Sequence, residues 1–522
     1  MTDRIYLFDT TLRDGAQTQS VNFTLHDKQV IAMMLDQLGI DYIEGGFPGA
    51  NQTDSEFFEK PPSLKNSALV AFGITRRAGV SADNDPTLRA TLNSHAPHVC
   101  IVAKSWDKQI ETIMDIDIEE NLKMIESSIK LLASKKKEVM LDAEHFFDGF
   151  LSNPDYACQV IDIALGAGAR WVVLCDTRGA MIPATIEKIV SQVGKKFDLN
   201  HIGIHAHNDS DCAIANSLTA VALGVRQVQG TLNGLGERCG NANILSLMAD
   251  LHFKMKLDIG IAKNNLHLMT KLSRQLDEIL ARAPNPHLPF VGSNAFAHKG
   301  GLHGSAVIKD PETYEHIEPE SVGNERVVVM SDQAGKSNLR WHLQKFQLTP
   351  DSKEEDKLLT AIKDAEFKGF SFDGAEASVE IFLRRQLNKM NECFTLSNCH
   401  IDYHSDANGQ EARAEVEVAV ENKKIKTQSS GNGPVNALDG ALRASLLQHF
   451  PQLKNVELID YKVRIIPPSK EYKSTAALTR VMIESTDGKN TWSTIGVSTN
   501  IITASEMALT DAYRYYLMKQ IN

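Results

Sequence analysis

The 522 residues hold no run of about 18 apolar side chains, no basic block long enough to form a nucleic-acid patch, no CxxC pair and no GxGxxG after the first strand-like segment. The first absence excludes a membrane-spanning helix. The second excludes a nucleic-acid-binding patch, and nothing else calls for a nucleic-acid partner. The third leaves Cys100, Cys158, Cys175, Cys212, Cys239, Cys393 and Cys399 as scattered reduced thiols rather than a disulfide framework or structural zinc site. The fourth argues against an open dinucleotide-binding sheet. Met1-Thr2-Asp3-Arg4-Ile5 leads into a strand-like stretch without an apolar core, so a cytoplasmic protein without a secretory signal is expected. With 55 basic against 66 acidic residues the formal charge is −11, and an anionic substrate must be gripped by local arginines or a metal. At 42% hydrophobic and 23% charged, the chain has an ordinary globular composition, long enough for two to four domains.

What is present is a repeated alternation of short apolar runs, polar loops and amphipathic stretches. The runs are Ile5 to Asp9, Asp41 to Gly46, Ala68 to Ile74, His98 to Ala103, Val139 to Glu144, Trp171 to Asp176, Ile202 to His207 and Arg226 to Thr231. Eight strand–helix units are the number that closes a (β/α)8 TIM barrel, and this is the predicted fold of the first half. A doubly wound open sheet is the competing architecture.

A barrel keeps its site at the carboxyl ends of the strands, and polar residues gather there. The first run continues into Asp9-Thr10-Thr11-Leu12-Arg13-Asp14-Gly15-Ala16-Gln17. The second carries Glu44, the fifth ends Asp142-Ala143-Glu144-His145, and the sixth ends Asp176-Thr177-Arg178-Gly179. The seventh carries His205 and His207, which an extended strand turns to one side about 7 Å apart. Two hydrogen-bonded core histidines are the bland reading of that pair. Its place on the seventh strand favours a metal, because the first strand lies only two away around the barrel and brings Asp14 to the same rim.

Two imidazoles and a carboxylate, with room for substrate, suit zinc, manganese or magnesium as a Lewis acid. Asn241, in the glycine-rich turn after the eighth strand, can add a carbonyl oxygen. Arg13 can grip a carboxylate or neutralise a developing alkoxide. Such a site polarises a 2-oxo acid for attack by a carbanion, and Glu144 or His303 is available to move the proton that makes one.

The break Ala283-Pro284-Asn285-Pro286-His287-Leu288-Pro289 ends the first domain, predicted as residues 1–285. Residues 286–390 form linker subdomains, containing His298-Lys299-Gly300-Gly301-Leu302-His303 and Tyr314. From about 391 the pattern becomes three strands and a helix, stated twice, with Gly431 to Leu438 echoing Gly496 to Ile502. This duplicated α+β domain, residues 391–522, has few clustered acids or histidines, so regulation or dimerisation is expected of it.

The run from Asp9 to Gly15, His205-Ala206-His207-Asn208-Asp209, Gly234 to Asn241 and His298 to His303 together resemble the isopropylmalate, homocitrate and citramalate synthase family of metal-dependent barrel enzymes. The likeness covers nearly the whole chain. Glu44 to Asn51 and Ala143 to Gly149 look most like the citramalate-forming branch. The resemblance implies condensation of acetyl-CoA, as co-substrate, with pyruvate and water, and a homodimer whose tail binds isoleucine as effector. It also implies that Asp14, His205, His207 and Asn241 hold the metal, that Arg13, Gln17 and Thr177 contact the keto acid, and that His303, with Glu144 and Tyr314, serves the acetyl proton. Cys239 and Arg178 depart from the commoner pattern. A 2-isopropylmalate synthase using 2-oxoisovalerate is the nearest rival, and a metal-dependent hydrolase barrel a more distant one.

Overall fold

The computed structural model describes residues 4–406, 409–421, 423–466 and 476–521. They form two compact units: one comprises the residues up to Phe296 with Ile317–Glu325, the other Ala297–His316 with the residues from Arg326 onward.

The first unit is a closed eight-stranded barrel, so the open-sheet alternative is excluded. Its strands are β1 (Tyr6–Asp9), β2 (Tyr42–Glu44), β3 (Ala68–Ile74), β4 (His98–Lys104), β5 (Glu138–Glu144), β6 (Trp171–Asp176), β7 (Ile202–Ala206) and β8 (Gln227–Gly230). Each pairs in parallel with its sequence neighbour, and the register Tyr6↔Gln227 to Asp9↔Gly230 closes the ring.

Alternation of side chains along each strand sorts two layers. One set fills the barrel with Phe8, Tyr42, Val70, Cys100, Met140 and Trp171. The other set, including Leu7, Ile43, Leu69, Ile101, Leu141, Val172, Ile204 and Val228, packs outward into the large core under the helices. Each fully buried side chain of this size is worth about 1.5–3 kcal/mol relative to exposure. The helix Leu25–Leu38 shows how such a covering helix is delimited: Thr24 and Asp27 form a reciprocal capping box, and Gly39 ends the helix at φ +100°. Its buried face carries Ile31, Leu35 and Leu38, and Lys28 as well.

The stretch Asp258 to Arg282, read as helical from its sequence, is helical only in part. Asp258 O accepts from Ile5 N at 2.7 Å, extending the chain beside the start of β1. Gly260 then turns at φ +71°, and the α-helix spans only Met269–Ile279.

In the second unit β9 (Ala297–His298) pairs with β10 (Val327–Val328). The helices Lys336–Lys345, Ser352–Phe367 and Glu376–Gln386 share a core around Leu339, Leu343, Leu358, Ile362 and Leu383. Two antiparallel sheets follow: β11 (Thr395–Asp406), β12 (Gly409–Val420) and β13 (Lys423–Gly431), then β14 (Glu457–Ile465), β15 (Thr479–Thr486) and β16 (Thr491–Ser498). Each sheet leads into a helix, Pro434–Leu446 or Ile501–Ile521.

The duplication extends to individual bonds. Thr427 Oγ1 on β13 donates to Ala441 O at 2.8 Å, and Thr494 Oγ1 on β16 donates to Ala508 O at 2.7 Å. The first strand of each copy carries an irregularity near its start, between Leu396 and Asn398 and between Leu458 and Asp460. The matches of Thr427 with Thr494 and Ala441 with Ala508 set the copies two positions away from a register that matches Gly431 with Gly496.

Candidate metal centre and active site

The loop after β1 is a tight turn in which Arg13, Asp14 and Gly15 all donate backbone N–H groups to Thr10 O at 2.8–3.1 Å. This turn aims Asp14 inward, 3% exposed. Thr11 Oγ1 donates to Asp9 and accepts from Leu232 N, latching the β1 loop to the β8 loop.

His205 and His207 point into the mouth of the barrel, as strand alternation requires, with their Nε2 atoms 3.3 Å apart. Asp14 Oδ2 lies 3.3 Å from His205 Nε2, and ligand atoms of all three residues fall within 4.8 Å of one another. The glycine-rich loop folds back so that His207 and Asn241 form a backbone bridge. Asn208 N donates to Gly240 O and Ala242 N to Ala206 O. Only glycine fits two positions of this loop. A Cβ at Gly236 (φ +152°) would meet Asn241 Nδ2 at 2.2 Å, and one at Gly240 (φ +85°) would meet Gly234 O at 1.9 Å.

These residues fit a divalent ion. Asn241 Nδ2 donates to Leu235 O, while its Oδ1 is buried without a partner, as is His207 Nδ1. An unpaired buried carbonyl oxygen is costly unless a partner such as a cation meets it, and the backbone bridge sets Asn241 beside His207. A nitrogen–nitrogen spacing of 3.3 Å suits two ligands each about 2.1 Å from one centre.

Beneath the ligands lies a support that strand-end reading misses. His205 Nδ1 is 2.8 Å from Gln229 Oε1, and Gln229 Nε2 donates to Asp142 Oδ1 at 3.0 Å. The alternation of Gln227 and Gln229 on β8 is the signal that marks Gln229 as inward. Glu44, Cys100 and Asp142 form a second buried group of potential ligands. Its two carboxylates are engaged by Arg13 and Gln229.

Arg13 Nε donates to Glu44 Oε2 at 2.7 Å, and the guanidinium stacks 4.2 Å from the centre of the Phe72 ring. Its Nη1 is 3.6 Å from Asp14, and Nη2 has no protein acceptor among the described residues. The buried Lys28 braces this pair from behind, donating to Leu12 O at 2.9 Å and Gly45 O at 3.0 Å and pairing with Asp54. Leu12 precedes Arg13 and Gly45 follows Glu44, so one ammonium ties both loops. Arg13 and the exposed Gln17 line a cavity of about 440 Å³ together with Leu12, Phe23 and Phe47.

Glu144, the last residue of β5, is ion-paired with Lys104 at the end of β4. Thr177 Oγ1 accepts from His145 N at 2.8 Å, leaving its hydroxyl proton to donate elsewhere. Arg178 lies 3.6 Å from the Asp148 carboxylate and near the Trp106 ring, and Cys239 is exposed. Arg238 grips Asp209 through two bonds at 2.7 and 2.9 Å and donates to Thr177 O, tying the β6, β7 and β8 loops. His303 and Tyr314 belong to the second unit, where their rings lie 4.6 Å apart. His303 is on the helix Gly301–Lys309. Nearby, His298 and Arg326 both hold Glu315.

Burial opposes charge throughout the barrel mouth, and local partners decide the outcome. It works to raise the pKa of Asp14, but the charge of Arg13 and the contact with His205 hold the carboxyl well below its usual range. Burial works to lower that of His205, yet Asp14 outweighs it and the pKa rises. For His207 burial and the neighbouring His205 act together and push it down to about 4. Glu44 is raised, because burial and the Asp142 charge exceed the pull of Arg13. Metal binding needs the imidazoles neutral and the carboxyl ionised, so an acidic medium opposes it chiefly through His205.

Three family profiles match successive parts of the chain: HMGL-like over residues 4–279, Homocitrate synthase post-HMGL domain-like over 290–369, and LeuA allosteric (dimerisation) domain over 373–517. The (R)-citramalate synthase of Aquifex aeolicus (strain VF5) is 46% identical over 99% of both chains. That of Geobacter sulfurreducens is 45% identical over 99% of this chain and 98% of its own. More distant is a probable 2-isopropylmalate synthase of Methanopyrus kandleri, 30% identical over 97% of each. With a barrel that brings Asp14, His205 and His207 together at its mouth, and likeness that runs from end to end, the chain belongs to the HMGL-like family and, within it, to the group of (R)-citramalate synthases.

Proposed function

We infer that this protein is a citramalate synthase, condensing acetyl-CoA with pyruvate and water to give (R)-citramalate and CoA. The observation that carries the reading is the cluster of Asp14, His205 and His207 beside Arg13, with the unpaired Asn241 Oδ1 on the loop bridged to His207. A divalent ion, magnesium, manganese or zinc, held there supplies Lewis-acid polarisation of the pyruvate ketone. Arg13, fixed by Glu44 and Phe72, presents its remaining N–H groups to the keto acid and offsets negative charge as the ketone becomes an alkoxide. Thr177 donates its free hydroxyl proton to the substrate carboxylate, and Gln17 closes the neighbouring wall.

His303, assisted by Glu144 and Tyr314, takes a proton from the acetyl methyl group, and the resulting carbanion attacks the ketone carbon to form the new carbon–carbon bond. The alkoxide then takes up a proton. Water attacks the thioester carbonyl, breaking the carbon–sulfur bond and leaving a carboxylate and CoA. His303, with Tyr314 packed beside it, is assigned to proton transfer at the acetyl group on the family likeness of its motif.

Residues 1–285 are assigned to catalysis, 286–390 to the acetyl-CoA site, and 391–522 to a regulatory domain of a homodimer that takes isoleucine. Its seven free cysteines accord with a reducing cytoplasm. Among the described residues no helix is long and apolar enough to cross a membrane.

Thiol release from acetyl-CoA, measured with pyruvate and then with 2-oxoisovalerate, tests the reaction. Citramalate should form with pyruvate, preferred by kcat/KM. Preference for 2-oxoisovalerate would establish an isopropylmalate synthase, and thiol release without a condensation product a hydrolase. Calorimetric titration with isoleucine, leucine and valine tests the effector; binding of leucine alone would overturn the isoleucine assignment.

A further inference from the structure

The geometry points to Gln229 as a positioning residue of the metal centre, its side-chain amide, oriented by Asp142, holding His205 with Nε2 free to face the ion. The polarity of the chain of bonds carries the argument. Gln229 Nε2 donates to Asp142 Oδ1 at 3.0 Å, so the group that the amide turns toward Asp142 is its NH2. The amide has one oxygen left, which lies 2.8 Å from His205 Nδ1. That oxygen cannot donate, so the proton of the neutral imidazole resides on Nδ1. Nε2 therefore carries the lone pair, and it is Nε2 that lies 3.3 Å from both Asp14 Oδ2 and His207 Nε2.

Gln229 is fully buried, His205 is 5% exposed and Asp142 4% exposed, so water does not compete for these bonds. The three residues come from β8, β7 and β5, and strand alternation turns all of them inward. An apolar side chain would fill the same space at Gln229 with equal ease, as Val70 and Met140 do lower in the barrel. A buried amide there costs desolvation that its two bonds offset, and those bonds set which imidazole nitrogen the ion meets.

This inference rests on the metal reading of the proposed function, and titration of the full-length protein with Mn2+, following free ion by electron paramagnetic resonance, separates the two. If the parent protein binds no Mn2+, the metal reading fails. If it binds, Gln229→Leu should weaken the affinity about 10- to 100-fold, the range for loss of an outer partner of a metal-bound histidine. Gln229→Glu, which keeps an acceptor oxygen toward Nδ1, should restore most of the affinity. Asp142→Leu is the second variant: with no acceptor left for Nε2, the Gln229 amide can turn over, and Mn2+ binding should again weaken. A filler role would lower the melting temperature of the metal-free Gln229→Leu protein without moving its affinity for Mn2+. Parent-like affinity in either the Gln229→Leu or the Asp142→Leu protein would overturn the inference.

Discussion

Asp14 Oδ2 and His205 Nε2 lie 3.3 Å apart, although one residue follows β1 and the other sits on β7. Closure of the barrel between β1 and β8 makes that contact, and it is the centre of the proposed metal site. Replacing His205, His207 or Asp14 by alanine should therefore abolish divalent-metal binding and turnover together. Circular dichroism and the melting temperature of the metal-free variants should stay near those of the metal-free parent, because the three side chains sit at the barrel mouth. A variant that turns over normally after exhaustive chelation would remove these residues from the metal centre.

Arg13→Lys keeps one charge but loses the Nε bond to Glu44 and the flat contact with Phe72. Lysine is a point charge on a flexible stem, so the change is not conservative here. With pyruvate, kcat/KM should fall by about 10²–10³, the scale for losing one fixed donor to a developing oxyanion. Mn2+ affinity should change little, since Arg13 is not a ligand. Unaltered steady-state kinetics would show that Arg13 does not face the keto acid.

Asp9 is fully buried, and burial raises its pKa from 3.8 to about 7 against the opposing bonds from Thr11. Between those two values the folded protein binds more protons than the unfolded chain, so the barrel loses stability as pH rises from about 4 to about 7. Asp9→Asn should flatten that slope. Urea unfolding of the barrel at several pH values, on parent and variant, measures it, and parallel pH dependences would contradict the assignment.

Lys28 and Asp54 form a buried ion pair, and burial lowers the pKa of the lysine even though Asp54 opposes the shift. Lys28→Met should cost about 3–5 kcal/mol in barrel stability, because it strands the Asp54 carboxylate and removes the donor from Leu12 O and Gly45 O. A loss under about 1 kcal/mol in urea unfolding would mean that water reaches Asp54 once the lysine is gone.

The eight barrel strands are legible in the chain because each is a short, nearly continuous apolar run between turn signals, and their number selects closure. The repeat in the tail is legible through alternation instead, since its strands bury alternate residues. Helix boundaries are read less well: Asp258 looks helical but pairs with Ile5, a contact that local pattern does not contain. Rim position identifies Asp14, Arg13, His205, His207 and Asn241 as candidates. Their bracing is not visible there, because Glu44 beneath Arg13, Lys104 beside Glu144, Lys28 behind two loops and Gln229 under His205 are all pairings between different strands or helices.

Sequence by itself determines which residues line the mouth of this barrel, since alternation and strand count are local properties summed along the chain. Which of them touch is decided only by the tertiary structure. Barrel closure and register convert positions that share a rim into distances of about 3 Å, and hydrogen bonding and metal coordination respond to distances on that scale.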